Sequence, residues 1–182
     1  MKKLKIATSN KNKIIEIESI LGADILESID IDIPEMQDED SEKIAMMKAK
    51  SAFDLLGEGV LIEDTSLTIN SMGKMPGPFI KWFLKGLGND GLIKATDYKN
   101  RKAVATTILC LYDGNDYVIG RGDVEGNISM EVKGSGFSWD PIFIPEGQAL
   151  TFGEMNLEEK NKFSMRRLAA EDFFRKYELD NK

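Results

Sequence analysis

An apolar run in this chain ends abruptly in two adjacent carboxylates. Val60–Asn70 reads VLIEDTSLTIN, with Glu63 and Asp64 followed by Thr65 and Ser66. A buried strand that delivers acids to its end is a common way to set carboxylates at the rim of a site. The sequence contains no histidine. A general base must therefore be a carboxylate, a lysine, a tyrosine or a metal-activated water. Ser-His-Asp triads, Cys-His pairs and histidine-ligated zinc are excluded within this chain.

Two further segments carry candidate chemistry. KIATSNKNKIIEIE (5–18) places Thr8, Ser9, Asn10 and Lys13 where a strand turns into a helix. Unpaired N–H groups and polar side chains there can cradle a phosphate. Any capped strand–turn–helix offers similar donors, and the Walker spacing is absent. GSGFSWDPIF (134–143) carries Phe137 and Trp139 in a glycine-flanked loop beside Asp140. Such rings can stack on a planar base. The competing reading makes them core anchors for an irregular loop.

Periodicity predicts the elements that position these residues. Leu4–Thr8 reads as a short buried strand. Lys11–Leu21 reads as a helix, apolar at 14, 15, 17, 20 and 21 and capped by Ser9 or Asn10. Ile25–Ile33 is extended. Ser41–Leu56 is a helix whose leading acids (Asp38, Glu39, Asp40, Glu42) suit the positive end of the helix dipole. After the Val60–Asn70 strand, Met75–Leu87 enters through Pro-Gly-Pro as an aromatic-rich helix, and Gly91–Tyr98 is a second short one. Arg101–Tyr112 and Tyr117–Ile128 are strands joined at Asp113-Gly114-Asn115, a hairpin signal. Lys133–Gly147 is an irregular connection, and Phe163–Tyr177 closes the chain as a helix. Alternating elements followed by a hairpin predict an α/β fold with a mixed sheet. No linker is evident, so residues 1–182 read as a single domain, with any second lobe an insertion.

Helical spacing leaves two cations out of place. In Ser41–Leu56 the apolar face is read as Ile44, Ala52 and Leu55, and Lys48 falls among them, while Lys43, Lys50 and Asp54 lie opposite. A lysine there either meets a specific anion or runs its stem along the core to free its head into water. In the last helix Phe163, Ala170, Phe173, Phe174 and Tyr177 share a face with Arg166 in its middle. An arginine among aromatics needs a partner, either a ligand or a buried structural acid.

Composition bounds the rest. The chain has 182 residues, 42% hydrophobic and 30% charged, as expected of an ordinary soluble globule. A formal charge of -7 argues against nonspecific nucleic-acid or membrane-surface binding. The single cysteine, Cys110, lies in the apolar run ATTILCLY and reads as a small core residue. It allows no intrachain disulfide, so a reducing compartment is expected. MKKLKIATSN lacks the apolar core of a signal peptide, and no run is long enough to span a bilayer, so a cytoplasmic protein is expected.

An anion cradle, paired carboxylates for a hard cation, an aromatic slot and isolated cations together fit a nucleotide with Mg²⁺. The segments ATSNKNK (7–13), IPE (33–35), MKAK (47–50), EDTSL (63–67), PGPFIKWF (76–83), GFSWDPIF (136–143) and TFGEMNLEEKNKFSMRR (151–167) carry a resemblance. In this order along almost the whole chain, they resemble the inosine/xanthosine triphosphate pyrophosphatases. The resemblance implies hydrolysis of noncanonical purine nucleoside triphosphates (ITP, dITP, XTP) to the monophosphate and pyrophosphate. It implies dependence on Mg²⁺, or in some cases Mn²⁺. It also implies an elongated two-lobed α/β fold with a central mixed sheet and a cleft between the lobes, and a homodimer.

By position, Thr8, Ser9, Asn10, Lys11, Asn12 and Lys13 resemble the triphosphate-binding loop. Glu35 and Asp64 resemble metal ligands, and Asp64 the proton acceptor, with Glu63 beside it. Lys48, Thr65, Lys81, Lys160 and Arg166 resemble substrate contacts, and Phe137, Ser138, Trp139 and Asp140 the base-binding loop. The chain departs from the pattern where glycine is usual at the positions of Ser9 and Ser138. It departs further in Ser164-Met165-Arg166, where the family usually has Ser-His-Arg. Met165 thus stands where a histidine would contact substrate, which puts base selectivity in question. Two rival readings remain: a Maf-like nucleotide pyrophosphatase of different base preference, and a nucleotide-binding protein without catalysis.

Overall fold

A computed structural model describes residues 3–8, 10–21, 24–34, 36–73 and 75–180, without the side chains of 178–180. Ser9 and Glu35, both expected at the site, lie outside the described residues. The elements are β1 (Leu4–Ala7), α1 (Lys11–Leu21), β2 (Leu26–Ile29), α2 (Ser41–Leu56), β3 (Ile62–Ile69), β4 (Pro76–Gly77), α3 (Ile80–Ala95), β5 (Lys102–Tyr112), β6 (Tyr117–Ile128), β7 (Phe143–Pro145), α4 (Leu157–Asn161) and α5 (Met165–Asp180). β1 and β2 pair in parallel, and Ile6 bridges in parallel to Leu61 just before β3. β4, β3, β5, β6 and β7 form a five-stranded sheet in that order, with β3–β4 and β6–β7 antiparallel. The expected α/β class is observed.

The chain divides into two compact units. The first comprises Met1–Thr65, Thr107–Gly122 and Met165–Lys182; the second comprises Ser66–Thr106 and Asp123–Ser164. In the first unit β3 and β5 are clad on both faces, which explains their nearly continuous apolar runs. One face gathers Leu61, Leu109 and Leu111 against Ile17 of α1 and Ala169, Ala170 and Phe173 of α5. The other gathers Val60, Ile62, Ile108 and Cys110 against Ala45, Ala49 and Ala52 of α2. Strand alternation accounts for the split: odd positions face α1 and α5, even positions face α2.

Several boundaries differ from expectation. The extended 25–33 segment yields only β2 as ladder. Pro-Gly-Pro forms β4 and a turn before α3 begins. The two helices expected between 75 and 98 are present, meeting at Gly88, whose φ of 65° and ψ of -179° are not helical, but the first begins only at Ile80 and the second ends at Ala95. The last helix starts at Met165, so Phe163 precedes it, in a turn closed by its N–H on the Lys160 carbonyl. The apolar face of α2 is centred on Ala45, Ala49 and Ala52, with Ile44 and Lys48 at its flank and Leu55 61% exposed. Small alanines let α2 lie close to the sheet, and its last turn before the left-handed Gly57 leaves Leu55 outside.

α5 sits close on β6 for a steric reason. A Cβ at Gly122 would lie 2.0 Å from the Met165 carbonyl oxygen, and one at Gly120 would lie 2.3 Å from that of Ala169. Only glycine at these two positions permits the approach that carries Arg166 inward.

Candidate active site

Glu63 and Asp64 are consecutive on β3, so their side chains leave the sheet on opposite faces. Glu63 enters the α1/α5 face and is fully buried there. Its Oε1 accepts from Thr65 Oγ1 at 2.6 Å and from Arg166 Nε and NH2 at 3.2 and 3.0 Å. Its Oε2 meets the Lys13 ammonium. Arg166, 3% exposed, also pairs with Glu16 and reaches Thr65 Oγ1 at 3.4 Å. Thr65 Oγ1 shares a hydrogen bond with the buried Thr107 Oγ1 at 3.1 Å. Two acids are thus balanced by two cations in a nearly dry setting. Burial works against the charge on Glu63, but Lys13 and Arg166 overcome it and hold the carboxyl down at about 2. Burial likewise works against the charge on Arg166, and Glu63 and Glu16 more than offset it, raising its affinity for the proton.

Asp64 faces α2 and meets a single cation, Lys48, whose Nζ donates to Oδ1 at 3.0 Å. Both side chains are about one-sixth exposed, at 17% and 18%. Burial pushes the Asp64 carboxyl above the usual aspartate range; Lys48 pulls it back, and the neighbouring Glu63 charge adds to the rise. The lysine that helical spacing marked as out of place therefore has an anion in this structure, and that anion is Asp64.

The start of α1 is capped by local side chains. Asn10 Oδ1 accepts from the Asn12 N–H at 3.0 Å, and Thr8 Oγ1 accepts from the Asn10 N–H at 3.1 Å. Lys11 and Asn12 are exposed, and Lys13 points to Glu63.

In the second unit, Asp140 and Lys160 are buried together, with Lys160 Nζ donating to Oδ2 at 2.7 Å and lying 5.5 Å from the centre of the Phe152 ring. Asp140 Oδ2 also accepts from the Phe137 N–H at 3.2 Å. Phe137 is 39% exposed and open to a ligand. Trp139 corrects the expectation of two stacking rings. It is 3% exposed and packs edge-on against Phe143 at 5.4 Å, so it anchors the loop and offers no free face. Met165, the first residue of α5, is 1% exposed. Ser138 adopts φ of 63°, in the left-handed region that favours glycine. Lys81 is exposed beside Trp82, 5.5 Å from the ring centre.

Glu16 and Thr107 were missed in the sequence. Glu16 had a signal, because Lys13, Glu16, Ile17 and Ile20 fall at helical spacing on one side of α1. Thr107 had only its odd position in β5, shared with Leu109 and Leu111. No trio of His, Cys, Asp or Glu suited to a metal occurs among the described residues. Both Glu63 oxygens are taken by cations and a hydroxyl, which leaves Asp64 as the more available carboxylate of the pair.

The profile of the Ham1 family matches residues 4–176 of this chain. The chain belongs to the Ham1 family. Among curated relatives of this Ham1-family chain, the inosine triphosphate pyrophosphatase of Tuber melanosporum is 40% identical, over 90% of each chain. Inosine triphosphate pyrophosphatase 1 of Trypanosoma cruzi is 38% identical, over 90% of this chain and 86% of its own. Among solved structures, a HAM1 protein from Coxiella burnetii matches with a TM-score of 0.81 at 25% identity, covering 100% of both chains. The Staphylococcus aureus Ham1 protein, 23% identical with a TM-score of 0.75, shares the fold over 99% of both chains.

Proposed function

We propose that this chain hydrolyses noncanonical purine nucleoside triphosphates (ITP, dITP, XTP) to the monophosphate and pyrophosphate. The observation that carries this reading is the unequal pair on β3. A carboxyl held at about 2 is a poor proton acceptor, whereas one raised above the aspartate range is a better one. Asp64 is therefore the base. It takes a proton from water as that water's oxygen bonds to the α-phosphorus and the bond to the β-phosphate oxygen breaks. Glu63 is a fixed negative charge that keeps Lys13 and Arg166 in place. Lys13, Lys48 and Lys81, with the donors of Thr8 to Asn12 and Thr65, neutralise triphosphate charge.

A divalent cation, Mg²⁺ or Mn²⁺, fits this donor set. Mg²⁺ commonly uses one or two carboxylates and completes its shell with water and phosphate oxygens, so the lack of an all-protein cage among the described residues is no obstacle. Asp64 and, by resemblance, Glu35 would hold it, and when bound it supplies charge compensation to the phosphate oxygens. Base recognition is assigned to Phe137, Ser138, Asp140 and Lys160 of the second unit, with Trp139 as support. A 6-keto purine presents acceptors where adenine presents a donor, so cationic donors such as Lys160 favour it. By the same resemblance the protein is a homodimer, a state that sedimentation analysis would test, and its lone cysteine and N-terminal composition favour a cytoplasmic location. No helix among the described residues is long and apolar enough to cross a membrane.

Pyrophosphate release with ITP, dITP, XTP, ATP and GTP, with and without Mg²⁺, tests the reading. Metal-dependent release with a preference for the first three is expected. Equal rates for all five, or none, would overturn it.

A further inference from the structure

The break in α3 has a partner in the loop that carries Phe137. Gly88 leaves helical geometry at φ of 65°, and a Cβ there would meet nothing within 4 Å. Glycine is thus required for its conformation and not for space. The break sets the next residue, Asn89, whose Nδ2 donates to the Ser138 carbonyl at 3.1 Å. Ser138 is the non-glycine residue of that loop in the left-handed region. On either side of it the loop is already tied. The Phe137 N–H donates to Asp140 Oδ2, the Asp140 N–H donates to the Phe137 carbonyl at 3.1 Å, and Lys160 holds Asp140. Ser138 is the strained link, and Asn89 is the side chain that secures it.

Asn89 is not an optimal choice for stability alone. Its Oδ1 is buried with no donor among the described residues, an arrangement that costs free energy an apolar residue would avoid. A polar group kept at such a cost points to a role in the loop's geometry.

We propose that Asn89 is a positioning residue for base selection, fixing Ser138 in its left-handed conformation and thereby the presentation of the exposed Phe137 ring. This rests on the reading of Phe137–Asp140 as the base-contacting loop.

The test is steady-state hydrolysis of ITP and GTP by the full chain, by Asn89→Asp and Asn89→Leu, and by Asn89→Asp combined with Ser138→Gly, with Tm recorded for each. Aspartate keeps the size and removes the amide donor; leucine removes the donor and the stranded acceptor together. Both single variants are expected to raise KM for ITP about tenfold and lower the ITP-to-GTP ratio of kcat/KM about tenfold, with kcat changed by no more than about twofold. The leucine variant should melt at or above the parent Tm. Ser138→Gly should restore at least about half of the lost selectivity, because glycine takes the same φ without penalty. A folded variant with parental KM and parental selectivity overturns the proposal, as does a double variant that recovers nothing. Should Asn89→Asp fail to fold, the leucine variant decides. A parent that releases pyrophosphate from neither nucleotide overturns the functional reading, and this inference with it.

Discussion

The two faces of β3 treat the same functional group in opposite ways. On the α1/α5 side Glu63 is fully buried yet held ionised by Lys13 and Arg166. On the α2 side Asp64 is slightly exposed, meets one lysine, and is pushed toward its neutral form by burial. The residues are adjacent and chemically alike, so the difference comes from the helices opposite each face. A carboxylate saturated with cations becomes a rigid counter-charge; one with a single partner keeps the capacity to move a proton.

The sharpest way to break this comparison is Asp64→Asn. If Asp64 is the base, kcat for ITP should fall about 10³-fold, near 4 kcal/mol of barrier. Binding of ITP should persist, and Tm should stay level or rise, because a buried charge is removed. Parental turnover in that variant would place the base elsewhere.

Next in size is Arg166→Met. It leaves Glu16 and Glu63 buried with too little positive charge, and breaking a buried ion pair by removing one partner costs about 3–5 kcal/mol. Urea unfolding at neutral pH should show that loss as a lower midpoint. An unchanged midpoint would mean the network on this face is not what holds α5 against the sheet.

The faces should also differ in pH dependence. Glu63 falls from an ordinary 4.5 to about 2 on folding, so its contribution is fully present above 4.5 and is lost as pH falls toward 2. The shift corresponds to a contribution on the order of 3 kcal/mol. Asp64 has the opposite sign: its raised carboxyl destabilises the fold at neutral pH, and that penalty is relieved as pH falls through its folded pKa. Urea midpoints of Glu63→Gln and of the parent between pH 7 and 2 check this. The parent should lose stability steeply, and the variant should start lower and lose less.

Much of this contrast could be read in the sequence. Alternation along VLIEDT already sends Glu63 and Asp64 to opposite faces, and helical spacing marked Lys48 and Arg166 as cations that need partners. Spacing could not say which partners. Glu16 lies 150 positions from Arg166 and Thr107 lies 42 from Thr65, and only the tertiary fold brings each to its partner. The fold class followed from alternating elements and the hairpin, whereas element ends did not. The face of α2 was misjudged because alanine is a weak hydrophobic signal although it allows the closest packing. Trp139 was open between slot and anchor, since composition cannot tell a ring turned inward from one turned out.

The smallest effect tests the α2 face directly. Lys48 is the cation in contact with Asp64, and its charge and hydrogen bond both pull the carboxyl down. Lys48→Met keeps the length of the stem and removes that pull. The acid limb of the ITP kcat profile, where Asp64 must lose its proton to act, should then move to higher pH. Lys50 lies two residues on along the same helix but pairs with Asp54 in solvent, at 54% and 58% exposure, so Lys50→Met should leave the limb in place. A shift in both variants would reduce the effect to loss of general positive charge. A shift in the first alone would tie it to the contact with Asp64, and so to the unequal surroundings of two neighbouring acids.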